Sequence, residues 1–198
     1  MKAVMIKQHG DVDVLKVEEI KEPFCSDSQI KIKIKASSVN HLDIWVRKGI
    51  PGMHIPLPMI LGSDGAGVIS AVGNSVGSFK VGDKVVVQPG VYKADCPFVK
   101  SGRENFSNTY GILGETQNGV QAEYVVLDPE NVYPMSPSLS FEQAATMQLV
   151  FMTAHEMLLS RALLKSGETV LVYGATSGVG SAAIQVANQL TQRDLNDM

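Results

Sequence analysis

The sequence QIKIKIKASSV at residues 29–39 alternates isoleucine with lysine over most of its length. Because successive side chains of a β-strand point to opposite faces, this alternation places Ile30, Ile32 and Ile34 on one face. The runs MKAVMIK (1–7) and VLKVEEI (14–20) show the same period of two. We therefore predict half-buried strands in all three places.

Glycine-containing turns separate the short runs that follow residue 39. They are KGIPGMH, LGSDGAG, AVGNSVGSF and VGDKV. This punctuation, with few helical patterns, is typical of a compact β-barrel or sandwich. Residues 92–118 are polar and irregular and predict a long surface loop, after which GVQAEYVVLDPENVYPM (119–135) returns to strand character.

A helical pattern begins at Ser140. Gln143 stands three residues after this serine, which predicts a capping box, and apolar clusters continue the pattern as far as Leu164. Lys165, Ser166 and Gly167 end it. The run Val170–Tyr173 then predicts a short buried strand, and SGVGSAAIQVANQL predicts a helix of small and aliphatic residues.

The turn between that strand and that helix is GATSGVG, residues 174–180. Its pattern is a variant of the dinucleotide-binding fingerprint, in which glycines let the backbone approach a pyrophosphate and the helix presents free N–H groups. The order of strand, loop and helix favours a nucleotide site over a merely tight turn. The candidate cofactor-binding residues are Gly174, Thr176, Ser177, Gly178, Val179 and Gly180.

Composition narrows the classes of function. The chain has 198 residues, of which 44% are hydrophobic, and a net charge of −3. These values fit a globular domain with a sizeable core and offer no electrostatic footprint for nucleic acid. Charges interrupt the N-terminus, and no apolar run reaches the length of a membrane span, so we expect a cytoplasmic protein. Two cysteines, Cys25 and Cys96, predict unbridged thiols.

Several motifs together resemble the medium-chain dehydrogenase/reductase family. They are SVNHLDIWVRKG (38–49), PMILGSDGAGVISAVG (58–73), FKVGDKVV (79–86) and the block from Thr153 to Ala187. The resemblance implies a mainly β GroES-like barrel domain of α+β type at residues 1–130. Residues 131–198 would then hold the first β-α unit of an α/β Rossmann dinucleotide-binding domain, which is incomplete.

Members of this family that use catalytic zinc hold it with a cysteine, a His-Glu pair and a later cysteine. By resemblance these positions are Asn40, Ser63-Asp64 and the neighbourhood of Leu149. Asparagine, serine and leucine cannot replace two thiolates and an imidazole. Asp64 and His41 remain as possible ligands, but two residues do not make a tight site, so we predict that catalytic zinc is absent.

The family's structural zinc lobe carries four cysteines. The matching positions here are Lys93, Cys96, Val99 and Ser107, so one of the four thiols survives. The surrounding sequence still resembles the lobe. We expect no metal at either zinc position, and we interpret Cys96 as an ordinary buried thiol.

Asn40 and Asp43 resemble the N-x-x-D pattern of zinc-free quinone oxidoreductases and enone reductases. In such enzymes the cofactor supplies the hydride, and a polar side chain can donate a hydrogen bond to the developing oxyanion. The resemblance implies catalytic roles for Asn40, Asp43 and Asp64. The alternatives are an Asp43–Arg47 pair at helical spacing and, for Asp64, a turn that bonds its own backbone.

The resemblance also implies NADP(H) as the cofactor, with His41 near its pyrophosphate and Thr153 near its nicotinamide. His41 could equally be a surface residue, and Trp45 is expected to serve packing rather than substrate binding. The implied function is zinc-independent hydride transfer between NAD(P)H and a quinone, an enone or a carbonyl or alcohol substrate, with no nucleic-acid or membrane partner.

The chain ends soon after the glycine loop, where TQRDLNDM has no strand character. A Rossmann sheet has about six strands, and the residue that would read the cofactor ribose falls beyond Met198. We therefore expect a truncated member or a fragment, with apolar surface left for a second copy or a partner chain on the exposed edge of the strand. The alternative function is a non-catalytic GroES-like remnant that binds a partner or has lost activity.

Overall fold

The computed structural model describes residues 1–93 and 96–196, with side chains to residue 190. The chain divides into two compact units, one of residues 1–146 and one that begins at Met147. The boundary predicted at residues 130–131 concerns the family's domains and stays a prediction.

The first unit is built on antiparallel sheets. A five-stranded sheet has the order β10-β6-β5-β3-β9, a three-stranded sheet has the order β2-β1-β4, and β7 pairs with β8. The strands are β1 Lys2–Ile6, β2 Lys16–Glu19, β3 Ile30–Ser37, β4 Met59–Ile60, β5 Gly65–Val72, β6 Lys84–Val87, β7 Gly90–Val91, β8 Gly111–Ile112, β9 Tyr124–Leu127 and β10 Val132–Pro134. Its helices are α1 His41–Lys48, α2 Pro97–Lys100 and α3 Phe141–Ala144.

The alternation in β3 sets the core of this unit. Ile30 and Ile32 are fully buried, and Ile34 packs against the same cluster. Strand β3 pairs with β5 on one side and with β9 on the other, so its isoleucines lie in the middle of the sheet. The three predicted strands are confirmed, and so is the mainly β, GroES-like class of fold.

The predicted surface loop at residues 92–118 holds short pieces of regular structure. These are α2, one 3-10 turn at Glu104–Phe106 and strand β8. Cys25 and Cys96 form no disulfide.

The capping box that opens the helical region is confirmed. The Ser140 hydroxyl accepts from the Gln143 amide, and the Gln143 side chain accepts from the Ser140 amide. The continuous helix predicted to Leu164 is wrong, because α3 ends at Ala144. The Thr146 amide and hydroxyl both donate to the Gln143 carbonyl, which closes the turn and competes with helical hydrogen bonds.

The second unit contains helices α4 Gln148–His155 and α5 Gly178–Asn196, with a π-helical turn at Glu156–Arg161 after α4. Ala154, Leu158, Ala182 and Ala183 form its small core. In the described part of this unit no residue is in a strand, so the strand predicted at Val170–Tyr173 is wrong. An extended segment forms a strand only when a neighbouring segment exchanges backbone hydrogen bonds with it, and no described segment does so with residues 170–173. The strand edge that was expected to pair with a partner chain is therefore not formed at these residues.

Candidate functional site

Three elements of the first unit bring Asn40, Asp43 and Asp64 together. Asn40 is the N-cap of α1, Asp43 lies in the first turn of α1, and Asp64 precedes β5. Ser38 joins them at the end of β3. The side chains of Asn40, Asp43 and Asp64 were predicted from the sequence to share one site, and the structure connects them by hydrogen bonds.

Asp43 binds backbone amides with both oxygens. Oδ2 accepts from the Asn40 amide at 2.7 Å, and Oδ1 accepts from the Gly62 amide at 2.9 Å. The side chain is buried, and this burial raises the pKa of Asp43 above its ordinary value, although the two backbone hydrogen bonds act in the opposite direction. Asp43 therefore fastens α1 to the loop that carries Asp64.

The predicted alternative for Asp43 was an ion pair with Arg47. The hydrogen bonds of Asp43 instead go to backbone amides, while Arg47 is buried and its Nε has no hydrogen-bond partner in the described chain. The sequence predicted Arg47 only as a partner of Asp43 and not as a buried residue. Its position one turn after Asp43 was visible, but its burial depends on tertiary packing.

Asp64 is fully buried between two polar donors. Its Oδ2 accepts from Asn40 Nδ2 at 3.0 Å and from Ser38 Oγ at 3.3 Å, and its carbonyl accepts from the Ser38 amide. The neighbouring Ser63 is also fully buried, and its hydroxyl donates to the Leu113 carbonyl at 2.8 Å. Ser38 is a contact that sequence reasoning missed, although it opens the quoted run SVNHLD.

This donor set does not fit a zinc ion. Tetrahedral zinc sites need thiolate, imidazole or carboxylate ligands, whereas Asn40 offers an amide that donates to Asp64 and Ser63 offers a hydroxyl that is already bonded. Leu149, at the fourth position, belongs to the second unit. Within residues 1–93 and 96–196, no three His, Cys, Asp or Glu side chains are grouped to hold a metal.

His41 and Trp45 lie one turn apart on α1. Both are exposed, Trp45 to 54%, and their rings meet edge-on with centroids 4.9 Å apart. The expectation that Trp45 serves packing is wrong, because α1 buries Asp43, Val46 and Arg47 instead. His41 presents its ring on the outer face of the helix, and its predicted contact with a pyrophosphate stays a prediction.

The lobe that resembles the structural zinc site is organised around aromatic rings. The Arg103 guanidinium lies 5.8 Å from the ring centroids of both Phe98 and Phe106. At the end of the lobe, the Ser107 and Thr109 hydroxyls are 2.8 Å apart, and the Thr109 hydroxyl accepts from the Lys93 amide. These contacts occupy the region where the family's zinc members place four thiolates.

The glycine loop of the second unit forms a tight turn into α5. Gly174 has a φ of 69°, and the Ser177 hydroxyl accepts from the Gly180 amide at 3.0 Å, which caps the helix. A Cβ at Gly180 would lie 2.3 Å from the Gly174 carbonyl oxygen, so only glycine fits there. The loop from Gly174 to Ser177 is exposed. An exposed, capped helix N-terminus of this kind fits a phosphate.

Thr153 also belongs to the second unit. It is exposed on α4, and its hydroxyl donates to the Leu149 carbonyl at 2.7 Å, one turn earlier in the helix. The glycine loop and Thr153 thus lie in one unit, and Asn40, His41, Asp43 and Asp64 lie in the other. Their predicted contacts with one cofactor stay predictions.

No helix in the described residues has the length and apolarity needed to cross a membrane. Residues 26–137 match the family model for the alcohol dehydrogenase GroES-like domain.

Quinone oxidoreductases and alcohol dehydrogenases are among the known proteins that resemble the chain. The human quinone oxidoreductase is 36% identical over 94% of this chain, which corresponds to 49% of that protein. A crystal structure of an NAD-dependent alcohol dehydrogenase is 42% identical with a TM-score of 0.93, and covers 96% of this chain and 56% of its own. A cobalt- and zinc-bound thermostable alcohol dehydrogenase from Pyrobaculum aerophilum is 32% identical with a TM-score of 0.86, over 96% of this chain and 56% of its own. The chain thus spans about half the length of the relatives it matches.

Proposed function

Because the chain belongs to the medium-chain dehydrogenase/reductase family of oxidoreductases, we propose that it takes part in hydride transfer between NADP(H) and a quinone, an enone or another carbonyl substrate, without zinc. The observation that carries this proposal is the hydrogen bond from Asn40 Nδ2 to Asp64 Oδ2. It occurs at the positions where zinc members of the family place metal ligands.

This hydrogen bond orients the Asn40 amide. An asparagine amide has two N–H groups, and Asp64 accepts one of them, so the other is available to a substrate oxygen. A donor held in place before the reaction stabilises negative charge that develops on a carbonyl oxygen. Asp64 acts as the orienting residue for Asn40, and Asp43 positions both by fastening α1 to the loop that carries Asp64.

The glycine loop would hold the cofactor. In the second unit, the Gly178 and Val179 amides at the start of α5 suit a pyrophosphate, and Gly180 allows the close turn that exposes them. Thr153 would lie near the nicotinamide and His41 near the pyrophosphate, as the family resemblance implies. When bound, NADP(H) supplies or accepts the hydride.

Cofactor binding is tested by titrating the chain with NADPH and with NADH while following nicotinamide fluorescence. We expect binding, and we expect Gly180→Ala to weaken it at least tenfold because the new methyl group forces the loop open. Gly77→Ala is the matched control, since a Cβ at Gly77 meets nothing within 4 Å. Equal binding by wild type and Gly180→Ala would contradict the assignment of the loop.

Turnover is tested by following NADPH oxidation with 1,4-benzoquinone as the acceptor. If the chain is active, Asn40→Ala should lower kcat about a hundredfold and leave the NADPH KM nearly unchanged, because the lost hydrogen bond forms in the transition state. Val39→Ala, at the adjacent exposed position, is the control. One equivalent of tightly bound zinc in the purified protein would overturn the zinc-independent mechanism.

The second candidate is a non-catalytic GroES-like remnant. It is favoured by the exposure of Leu171 and Tyr173 in the second unit, where the described residues contain no strand of a nucleotide-binding sheet. This candidate predicts cofactor binding without turnover, or neither. Sedimentation of the purified chain adds a readout, because an exposed apolar surface of this kind favours self-association.

A further inference from the structure

The outer edge of β9 carries backbone groups that no other part of the described chain occupies. Strand β9 is the last strand of the five-stranded sheet. The Ile34 amide donates to the Glu123 carbonyl, and in this register Val125 and Leu127 form the hydrogen-bonded pairs with β3. Tyr124 and Val126 therefore turn their N–H and C=O groups away from β3, and no hydrogen bond is assigned to these groups within the described residues.

Two cavities lie along this edge. One has a volume of about 430 Å³ and is mostly polar, and the other has a volume of about 350 Å³ and is mostly apolar. They share Gln117, Val126 and Leu127, so together they form one groove beside β9. Polar side chains of the larger cavity are Gln29, Thr109, Asp128 and Asn131, and apolar side chains of the smaller one are Ile20, Pro23, Ile60 and Leu113.

The larger cavity of the groove is distant from the candidate catalytic site, whereas the smaller cavity approaches it through Leu113, whose carbonyl accepts from the Ser63 hydroxyl. Gln29 lines the larger cavity and precedes β3, whereas Ser38, which binds Asp64, follows β3. At the rise of a β-strand, the nine steps from Gln29 to Ser38 span roughly 30 Å. A ligand in the larger cavity would therefore not contact Asn40 or Asp64.

The groove carries more positive than negative charge. Lys21 lines the smaller cavity, which has no carboxylate in its wall, and Lys93 lines the larger one, where Asp128 already accepts from Gln29. Neither lysine ammonium has an ion-pair partner in the part of the chain that the structure describes. The groove is thus complementary to a ligand with negative charge at both ends.

We propose that this groove binds an extended acidic peptide segment of a partner protein, which adds to the sheet as a strand beside β9. The Val126 N–H and C=O would pair with the peptide backbone, and alternate peptide side chains would enter the two cavities. An apolar side chain fits beside Ile60 and Leu113, and acidic residues at the two ends of the segment fit Lys21 and Lys93. Backbone pairing would supply affinity, and the cavities and lysines would supply specificity.

Strand addition is tested with the probe acetyl-Glu-Val-Thr-Val-Thr-Glu-amide, titrated into the 198-residue chain by calorimetry. Val126→Pro removes only the outward N–H and leaves the hydrogen bonds of β9 to β3 in place, as an edge position allows. We expect it to weaken binding at least tenfold, and we expect Val126→Thr, which keeps the N–H, to bind within twofold of wild type. A probe with N-methylated central amides should also fail to bind wild type, which tests the backbone pairing without any substitution in the protein.

The role of the two lysines is tested by exchanging the charges of the groove and of the peptide. We expect the double variant Lys21→Glu, Lys93→Glu to lose the acidic probe at least tenfold and to gain affinity for the same peptide with lysine at both ends. The proposal is wrong if the acidic probe does not bind at about 1 mM, or if Val126→Pro and the N-methylated probe leave binding unchanged. It is also wrong if Val126→Pro abolishes self-association of the chain while no peptide binds, since β9 would then pair with a second copy.

Discussion

The two units differ in what their apolar side chains contact. In the first unit, Ile30 and Ile32 are fully buried between paired strands, and the sheet core includes buried valines from β6, β9 and β10. In the second unit, Leu171 is 77% exposed and Tyr173 is 89% exposed, and the core is a small cluster around α4 and α5. Residues 30–37 have adjacent strands, whereas residues 170–173 have none among the described residues. A strand is stable only when adjacent strands complete its hydrogen bonds and cover one face.

The candidate site around Asn40 and the glycine loop also differ in what holds them in place. Asn40, Asp43 and Asp64 are held by hydrogen bonds that connect α1, the loop before β5 and Ser38 at the end of β3. The glycine loop is held by local hydrogen bonds, from the Gly180 amide to the Ser177 hydroxyl and from the Ser177 amide to the Gly174 carbonyl. The candidate site around Asn40 is therefore held by tertiary contacts, whereas the loop conformation is set by its own glycines and its cap.

The largest expected effect on stability comes from the core of the first unit. Ile32→Ala should lower the free energy of unfolding by about 2–5 kcal/mol, because it leaves a cavity in a fully buried position. Urea unfolding followed by circular dichroism measures the change. Val12→Ala, at an exposed position in the same unit, should change it by less than about 0.5 kcal/mol. Similar losses in both variants would show that the first unit is not organised around β3.

Asp43 tests the connection between α1 and the loop before β5. Asp43→Ala removes the acceptor of two backbone N–H groups, one of them buried at Gly62, and should cost about 2–3 kcal/mol. Hydrogen exchange of the Asn40 and Gly62 amides, followed by NMR, should become faster in the variant. Unchanged protection at both amides would mean that Asp43 does not fasten the two elements.

The pKa of Asp43 makes stability depend on pH. Since burial raises it in the folded protein above its ordinary value of 3.8, the folded state binds the proton more tightly than the unfolded state. The stabilising contribution is complete below the unfolded value and is lost as the pH rises through the folded value. The difference in unfolding free energy between wild type and Asp43→Asn should therefore fall as pH rises above about 4 and then level off. If the difference in unfolding free energy instead rises with pH over this range, the pKa of Asp43 is lowered in the folded protein and not raised.

A smaller effect is expected in the lobe around Arg103. Arg103→Gln removes a cation that lies against Phe98 and Phe106, which should loosen the lobe by about 0.5–1 kcal/mol and accelerate local hydrogen exchange about fivefold. Lys48→Gln, an exposed charge elsewhere in the unit, is the control. Adding EDTA to wild type should leave the lobe's exchange unchanged. Faster exchange with EDTA would indicate that a metal holds the lobe.

The smallest effect is expected in the run that failed to form a strand. Leu171→Ser should change the free energy of unfolding by less than about 0.5 kcal/mol, since the side chain is mostly exposed. It should also reduce binding of an apolar fluorescent dye. A loss above about 1 kcal/mol would show that Leu171 is buried in solution, and the contrast between the two units would then be smaller than the structure indicates.

Sequence patterns predicted the parts of the fold that depend on residues close together in the chain. The alternation of Ile30, Ile32 and Ile34 predicted β3, and the spacing of Ser140 and Gln143 predicted the capping box. The motif NHLD, with Asp64, identified the residues that meet in the candidate site. The partners of Asp43 were not predictable, because the Gly62 amide is distant in sequence and offers no side-chain signal.

The sequence by itself determined which segments can be strands and where α3 begins. Each follows from side-chain periodicity or a local cap. Only the tertiary structure decided that residues 30–37 are a central strand while residues 170–173 are not a strand, and that the outer edge of β9 pairs with no other strand among the residues that the structure describes. The physical reason is that a strand's backbone hydrogen bonds are made with other segments, so their formation depends on which segments lie beside it.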